Sequence, residues 1–368
     1  MKFDRENTPE GIEKLNTVNP DTETEDTGEE VDDALWQRLW DPSFLRTVTM
    51  RELYSQVYES RPYLIDGLLR TGTYLFAGAP KVGKSFFMAQ LAYHVSAGLP
   101  LWSHSIKQGT VLYLALEDDY RRLQERMYRM FGTDSTDDLF FAVCAKQLGM
   151  WLDEQLEGFV REHPDTRLII IDTLQKIREV SGDKYSYASD YEVVGRLKKF
   201  ADYHNVSLLL VHHTRKQTAD DRFDMISGTN GLLGAADGAF LLQKIKRTDQ
   251  TATLEISGRD QQDQKLYLRR NPERLTWELE RTEADVWEEP PDPVLASVSS
   301  LVSPENPVWR GTATEMAAAL HSELKPNALA MKLNIRANAM LEKHHIRYES
   351  SRSHAGRQIR LTLLPEAA

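Results

Sequence analysis

The sequence predicts an α/β fold: a central, mostly parallel sheet with a phosphate-binding loop at its edge, plus a small C-terminal winged-helix-like domain. Three observations predict it. Gly78-Ala79-Pro80-Lys81-Val82-Gly83-Lys84-Ser85 spells G-x-x-x-x-G-K-S between an apolar strand pattern, Thr73-Tyr74-Leu75-Phe76-Ala77, and a helical pattern carrying Phe86, Phe87, Leu91 and Val95 up to Gly98. Further strand-length apolar runs then end in polar groups, at Glu117, at Asp172 and at His212-His213. Past the Pro-rich stretch Glu288-Glu289-Pro290-Pro291-Asp292-Pro293 the charge changes sign: residues 294–368 carry nine basic and six acidic side chains, a net +3.

Composition limits the alternatives. With 368 residues and 41 % hydrophobic content the chain can build one large core and one small one. No apolar run approaches membrane-span length and the first residues lack a signal-peptide core, so a cytoplasmic protein without a membrane partner is expected. The lone Cys144 excludes an internal disulfide framework or a Cys-based zinc site; between Ala142-Val143 and Ala145 it reads as a small buried hydrophobe in a short strand. The net charge of −11 argues against a nucleic-acid partner only until it is located. Residues 1–34 hold twelve acidic and three basic side chains, a net −9, which leaves the remainder near neutral at −2.

In chain order, residues 1–34 are too polar to offset the entropy of ordering and read as a disordered acidic tail. The tail is either a solvating extension or a mimic that occupies a basic groove until nucleic acid displaces it. Residues 35–62 form a segment with Trp36, Leu39, Trp40, Phe44 and Leu45, then a short helix from Met50 to Tyr58; it docks on a neighbouring subunit or on its own core. Residues 63–287 are the large domain, 288–293 a linker and 294–368 the small domain. In the small domain Thr312-Ala313-Thr314-Glu315 is a capping box, Pro326 opens a second helix, and a third precedes two short strands around the basic tip Arg352 to Arg357. Three helices and a hairpin read as a winged helix, which binds DNA or protein.

The loop's chemistry follows from its residue types. Gly78 and Gly83 let successive N–H groups turn toward phosphate oxygens, and the helix N-terminus adds partial positive charge. Lys84 reaches the β- and γ-phosphates, and the Ser85 hydroxyl is placed for Mg²⁺. Glu117, at a strand's carboxyl end, is the general-base candidate; Asp118 and Asp119 fit a helix N-cap better. Asp172 closes Leu168-Ile169-Ile170-Ile171 and suits the metal's hydration shell. A histidine at the end of Leu208-Leu209-Leu210-Val211 can sense the γ-phosphate. Arg215, Lys216 and Arg222 form a basic stretch, either a DNA-contacting loop or an ordinary surface loop. Basic residues on the late strands, Lys244, Lys246, Arg247 and Arg259, do not reach their own nucleotide easily; they suit an arginine finger supplied to a neighbour.

With GAPKVGKS, VLYLALEDD, LIIIDT and LLLVHHTRK in order, residues from about 63 to 268 resemble the RepA-like hexameric helicases and related mobile-element ATPases of the RecA/DnaB class. The resemblance implies a RecA-like P-loop core, ATP and Mg²⁺ as cofactors, a six-membered ring, movement on single-stranded DNA, and a possible replication-initiation partner protein. It makes Lys84 and Ser85 the phosphate and metal groups, with residues 78–86 as the nucleotide cradle. It further makes Glu117 the catalytic carboxylate, Asp172 the second metal-site acid and His213 the sensor. Arg126 falls where the family stacks an arginine on adenine. The RepA-type finger position is Ala239 here, so Arg259 is the substitute, with Arg247 second. Two functions are expected: a DNA-stimulated helicase of a plasmid or integrated element, or an ATP-switched DNA- or protein-binding regulator that separates no strands.

Overall fold

The computed structural model describes residues 43–45, 47–58, 60–178, 187–214, 222–226, 231–244, 246, 248–259, 261–284, 290–353 and 356–365. The acidic tail, Trp36, Leu39, Trp40, Arg215, Lys216 and Arg247 lie outside the described residues. The chain divides into two compact units. One is Arg61–Trp287; the other joins the described residues up to Ser60 to those after Glu288.

The elements run α1 (Met50–Ser55), β1 (Tyr63–Ile65), β2 (Leu69–Arg70), β3 (Gly72–Gly78), α2 (Lys84–Ala97), β4 (Thr110–Ala115), α3 (Tyr120–Phe131), β5 (Leu139–Ala142), α4 (Leu152–Glu162), β6 (Thr166–Asp172) and α5 (Leu174–Ile177). Then come α6 (Tyr187–His204), β7 (Ser207–His213), α7 (Gly231–Ala235), β8 (Gly238–Gln243), β9 (Thr251–Gly258), β10 (Gln261–Arg270) and β11 (Trp277–Ala284). The last are α8 (Pro293–Ser299), β12 (Val308–Thr312), α9 (Ala313–Ala319), α10 (Pro326–Ile335), α11 (Ala337–His344), β13 (Ile346–Ser353) and β14 (Gly356–Leu363).

In the larger unit one nine-stranded sheet has the order β11-β10-β9-β8-β3-β7-β6-β4-β5. From β8 to β5 the strands are parallel, and β9 to β11 are antiparallel. The parallel strands read as unbroken apolar runs because helices cover both faces. Side-chain alternation splits the core in two. Tyr74, Phe76, Val111, Tyr113, Ile170 and Leu209 pack with Phe87, Leu91 and Val95 of α2. Leu75, Leu112, Leu114, Ile171 and Leu210 pack on the opposite face with Leu156 of α4 and Val194 and Leu197 of α6.

One expectation fails here. Cys144 is exposed, because β5 is the edge strand and ends at Ala142, before the chain reaches it.

The smaller unit has its own core, in which Leu295, Val298, Met316, Leu329, Leu333, Met340, Ile359 and Leu361 are buried. Its three strands are ordered β12-β14-β13. The capping box at Thr312 and Glu315 and the Pro326 helix start stand as the sequence predicts. Helix α8 and strand β12 are additions to the three helices and hairpin read from sequence. Helix α8 takes the end of the expected linker: Asp292 caps it by accepting from Val294 N at 2.9 Å, with Pro293 in its first turn.

The described part of the docking segment belongs to this unit, not to the larger one. Helix α1, with its own Thr49–Glu52 capping box, and the residues just after it offer carbonyls to α10, α11 and β14. Asn334 Nδ2 donates to Tyr54 O at 3.0 Å, Asn338 Nδ2 donates to Tyr58 O at 2.9 Å, and Arg357 donates to Ser55 O. The Tyr54 and Ser55 carbonyls are ones that a six-residue helix cannot satisfy internally, and Tyr58 O belongs to the segment that follows it. No helix among the described residues is long and apolar enough to cross a membrane.

Candidate active site

Register brings the strand-end residues to one edge. Gly78 pairs with His213 across β3 and β7, Asp172 with Val211 across β6 and β7, and Ala115 with Asp172 across β4 and β6. Glu117 follows two residues past Ala115, with Leu116 N donating to Asp172 O at 2.8 Å. In open α/β sheets this carboxyl edge is where ligands bind.

The loop itself is shaped by close approach. A Cβ on Gly78 would lie 2.6 Å from Leu242 O of the neighbouring strand. Gly83 has φ +113°, and a Cβ there would lie 2.9 Å from Trp277 Cζ2, so neither the backbone nor the space admits a side chain. Ala79, Pro80 and Lys81 are exposed at the rim, while Val82 is buried beneath it.

Lys84 is 5 % exposed. Its ammonium donates to Gly78 O at 2.7 Å and Ala79 O at 3.1 Å, and it lies 3.0 Å from His213 Nδ1, which accepts when the ring proton is on Nε2. Burial pulls its pKa down to about 8 against the opposing fields of Asp172 and Glu117. His213 is also held below its usual range by burial and by Lys84. His212 faces away, as strand alternation requires, and burial with the nearby Arg178 guanidinium lowers it to about 4.

Asp172 is buried, and burial raises its carboxyl above the ordinary value despite hydrogen bonds from Ser85 and Tyr113. Tyr113 OH donates to Asp172 Oδ2 at 2.9 Å. Glu117 is exposed toward the same edge and accepts from Thr173 Oγ1 at 3.1 Å. Ser85 and Asp172 together present a hydroxyl and a carboxylate, hard oxygen donors of the kind Mg²⁺ takes alongside phosphate and water. Among the described residues no group of three or more His, Cys, Asp or Glu forms a metal cage.

Sequence reasoning missed Tyr113 and Thr173, which hold the two carboxylates, and Trp277, which supports Gly83. Each was read only as part of a strand or its end. A tyrosine in a fully buried strand was the available signal, since its hydroxyl needs a partner.

The remaining expected residues separate. Asp119 caps α3, accepting from Arg122 N at 2.8 Å. Arg126 lies 5.1 Å from the Phe86 ring centroid and is paired with Asp118 at 2.7 Å. Ala239, at the RepA-type finger position, is fully buried in β8. Arg259 is exposed at the opposite edge of the sheet, where its guanidinium donates to Gly234 O at 2.6 Å. Lys244 departs from expectation: β8 runs parallel to β3, so its end brings Lys244 Nζ to 5.5 Å from the Trp277 ring, beside its own phosphate loop.

Residues 41–219 match the AAA domain family. The family match, the phosphate loop after β3 and the mostly parallel sheet define a P-loop ATPase domain. Among solved structures the chain is similar to a separately solved ATPase domain, with 15 % identity and a TM-score of 0.48 over 56 % of this chain and 84 % of that one. It is similar to a DnaB-like replicative helicase at 15 % identity and 0.48, covering 56 % of this chain and 57 % of that one. For a KaiC-like protein of Pyrococcus horikoshii OT3 the values are 14 % and 0.42, over 60 % and 99 %. No curated protein sequence matches this chain.

Proposed function

We propose that this chain is a cytoplasmic, DNA-stimulated ATPase of the RepA helicase type. In this reading it works as a ring on single-stranded DNA in the replication of a plasmid or other mobile element. The observation that carries the reading is the convergence, on one sheet edge, of the Lys84 ammonium, the Ser85 hydroxyl, the Asp172 and Glu117 carboxylates and the His213 imidazole.

In this reading residues 78–86 cradle the triphosphate. Ser85 and Asp172 hold Mg²⁺, which when bound neutralises phosphate charge. Glu117, kept in place by Thr173, orients and deprotonates the attacking water. His213 contacts Lys84 directly and so is placed to register the phosphate that Lys84 binds. Arg259 acts on a neighbour's nucleotide. The basic C-terminal unit, ordered helix, strand, three helices and hairpin, serves as a winged-helix-like contact to DNA or to an initiation partner.

Lys84→Ala is expected to abolish turnover, and Glu117→Gln to bind ATP and hydrolyse it at least about a hundredfold more slowly. Single-turnover hydrolysis and nucleotide binding check both. Glu117→Gln turning over at the parental rate removes Glu117 from the base role. A fork-unwinding assay then divides motor from switch: ATPase stimulation by single-stranded DNA without strand separation replaces the helicase reading with that of an ATP-switched regulator.

A further inference from the structure

The edge of the sheet beside the phosphate loop carries a positive charge that the proposed chemistry does not use. Strand β10 runs antiparallel to β9, so Leu266 is level with Gly78 and the strand's last residue, Arg270, lies four residues further on, past the sheet edge from which the phosphate loop leaves β3. Its guanidinium lies 4.4 Å from the Phe86 ring centroid and 6.0 Å from that of Trp277. Phe86 directly follows Ser85, and Trp277 Nε1 reaches Gly83 O at 3.4 Å.

Arg270 Nε is buried and has no hydrogen-bond partner, and among the described residues no carboxylate pairs with this side chain. Its charged neighbours include cations: burial and then Arg129 lower its pKa, and burial with Arg270 lowers that of Lys244. The preceding residue, Arg269, is by contrast neutralised by Glu280. Of the two arginines that flank Phe86, Arg126 is tied to Asp118, so the unmatched charge belongs to Arg270. Lys244 has Asp249 near it and donates to Asp249 O at 2.6 Å, so the half-buried Arg270 is the cation left without a carboxylate, an arrangement that an anion at the site would complete.

The order of phosphates along such a loop says which anion. Lys84 takes the β- and γ-phosphates, and the backbone cradles the α- and β-phosphates. A cation on β10 over Phe86, across β3 in the sheet from the strands that lead to His213 and Glu117, therefore stands at the α end. We infer that Arg270, with Lys244 beside it, binds the α-phosphate of the nucleotide held by the phosphate loop of the same chain. The inference rests on the nucleotide reading above.

The test measures equilibrium binding of ATP, ADP and inorganic tripolyphosphate, each with Mg²⁺, to the full chain and to Arg270→Gln, Arg270→Lys and Lys84→Ala. An α-phosphate contact weakens all three ligands by a similar factor, roughly tenfold or more in Arg270→Gln, with partial recovery in Arg270→Lys. Loss of ATP and ADP with tripolyphosphate spared would put the arginine on the base or ribose and overturn the inference. Loss of ATP with ADP spared would put it on the γ-phosphate, and unchanged binding of all three would remove it from the site. Ligand-free melting of both Arg270 variants at the parental temperature shows that the fold is intact; recovery in Arg270→Lys keeps the test decisive if Arg270→Gln melts early. If the parental chain binds none of the ligands, or Lys84→Ala binds them all unchanged, the nucleotide reading itself fails and the inference with it.

Discussion

Lys84 directs its ammonium at two loop carbonyls and His213, and the chain's neighbouring histidine turns the other way, so two adjacent residues on β7 have separate roles. His212 gives a pH prediction. Its folded pKa, about 4, is below the ordinary 6.5 because burial and Arg178 disfavour the charged ring. Between those values the unfolded chain holds a proton that the folded chain lacks. Its contribution is therefore full above pH 6.5 and is lost as pH falls toward 4, by about 2 kcal/mol at pH 5. In His212→Gln the urea midpoint should fall less between pH 7.5 and pH 5 than in the parent; equal falls would show that this imidazole does not set the acid limit. At this scale the phosphate and carboxylate residues were legible because their spacing is their chemistry. Arg270, Tyr113 and Trp277 were not, because each acts on a residue far away in sequence.

Elements were read from sequence where periodicity was long. Helix α2, ending at Gly98, and the apolar strands β3, β4, β6 and β7 stand close to their expected places, since burial on both faces leaves an unbroken apolar run. Strand β12 and helix α8 were missed: β12 is five residues on a sheet edge with none of them fully buried, and α8 begins inside a Pro-rich stretch that reads as linker. The attachment of α1 to α10 had no sequence signal either. It turns on Asn334, 1 % exposed, whose amide accepts from Tyr348 OH at 2.9 Å and donates to Tyr54 O. Asn334→Ala strands both partners and should cost about 2 kcal/mol in thermal or urea unfolding of the smaller unit. Asn338→Ala, with one exposed hydrogen bond, should cost under about 1 kcal/mol; an equal cost for the two would refute the buried-network account.

For the whole molecule, Arg259 sets the oligomer prediction. Arg259 N bonds to Asp237 O at the start of β8, while Leu242 is level with Gly78, so about 15 Å of strand separates this arginine from its own phosphate loop. If it serves a neighbouring subunit, Arg259→Ala and Lys84→Ala proteins, each inactive alone, should recover ATPase activity when mixed, because some interfaces then combine an intact finger with an intact loop. No recovery at any mixing ratio would remove Arg259 from that role. Native mass with and without a non-hydrolysable ATP analogue tests the proposed ring: a monomer under both conditions would remove it.

The order of motifs along the chain already determined a phosphate-binding loop followed by strand-end acids and a histidine, because local backbone shape and apolar periodicity are written in neighbouring residues. Only the tertiary structure decided that β9 to β11 fold back to set Trp277 and Arg270 against the loop. It likewise decided that the described N-terminal residues join the C-terminal unit. Both depend on pairings between residues from 187 to 302 positions apart, and such pairings are chosen by the packing of whole faces, which no local pattern encodes.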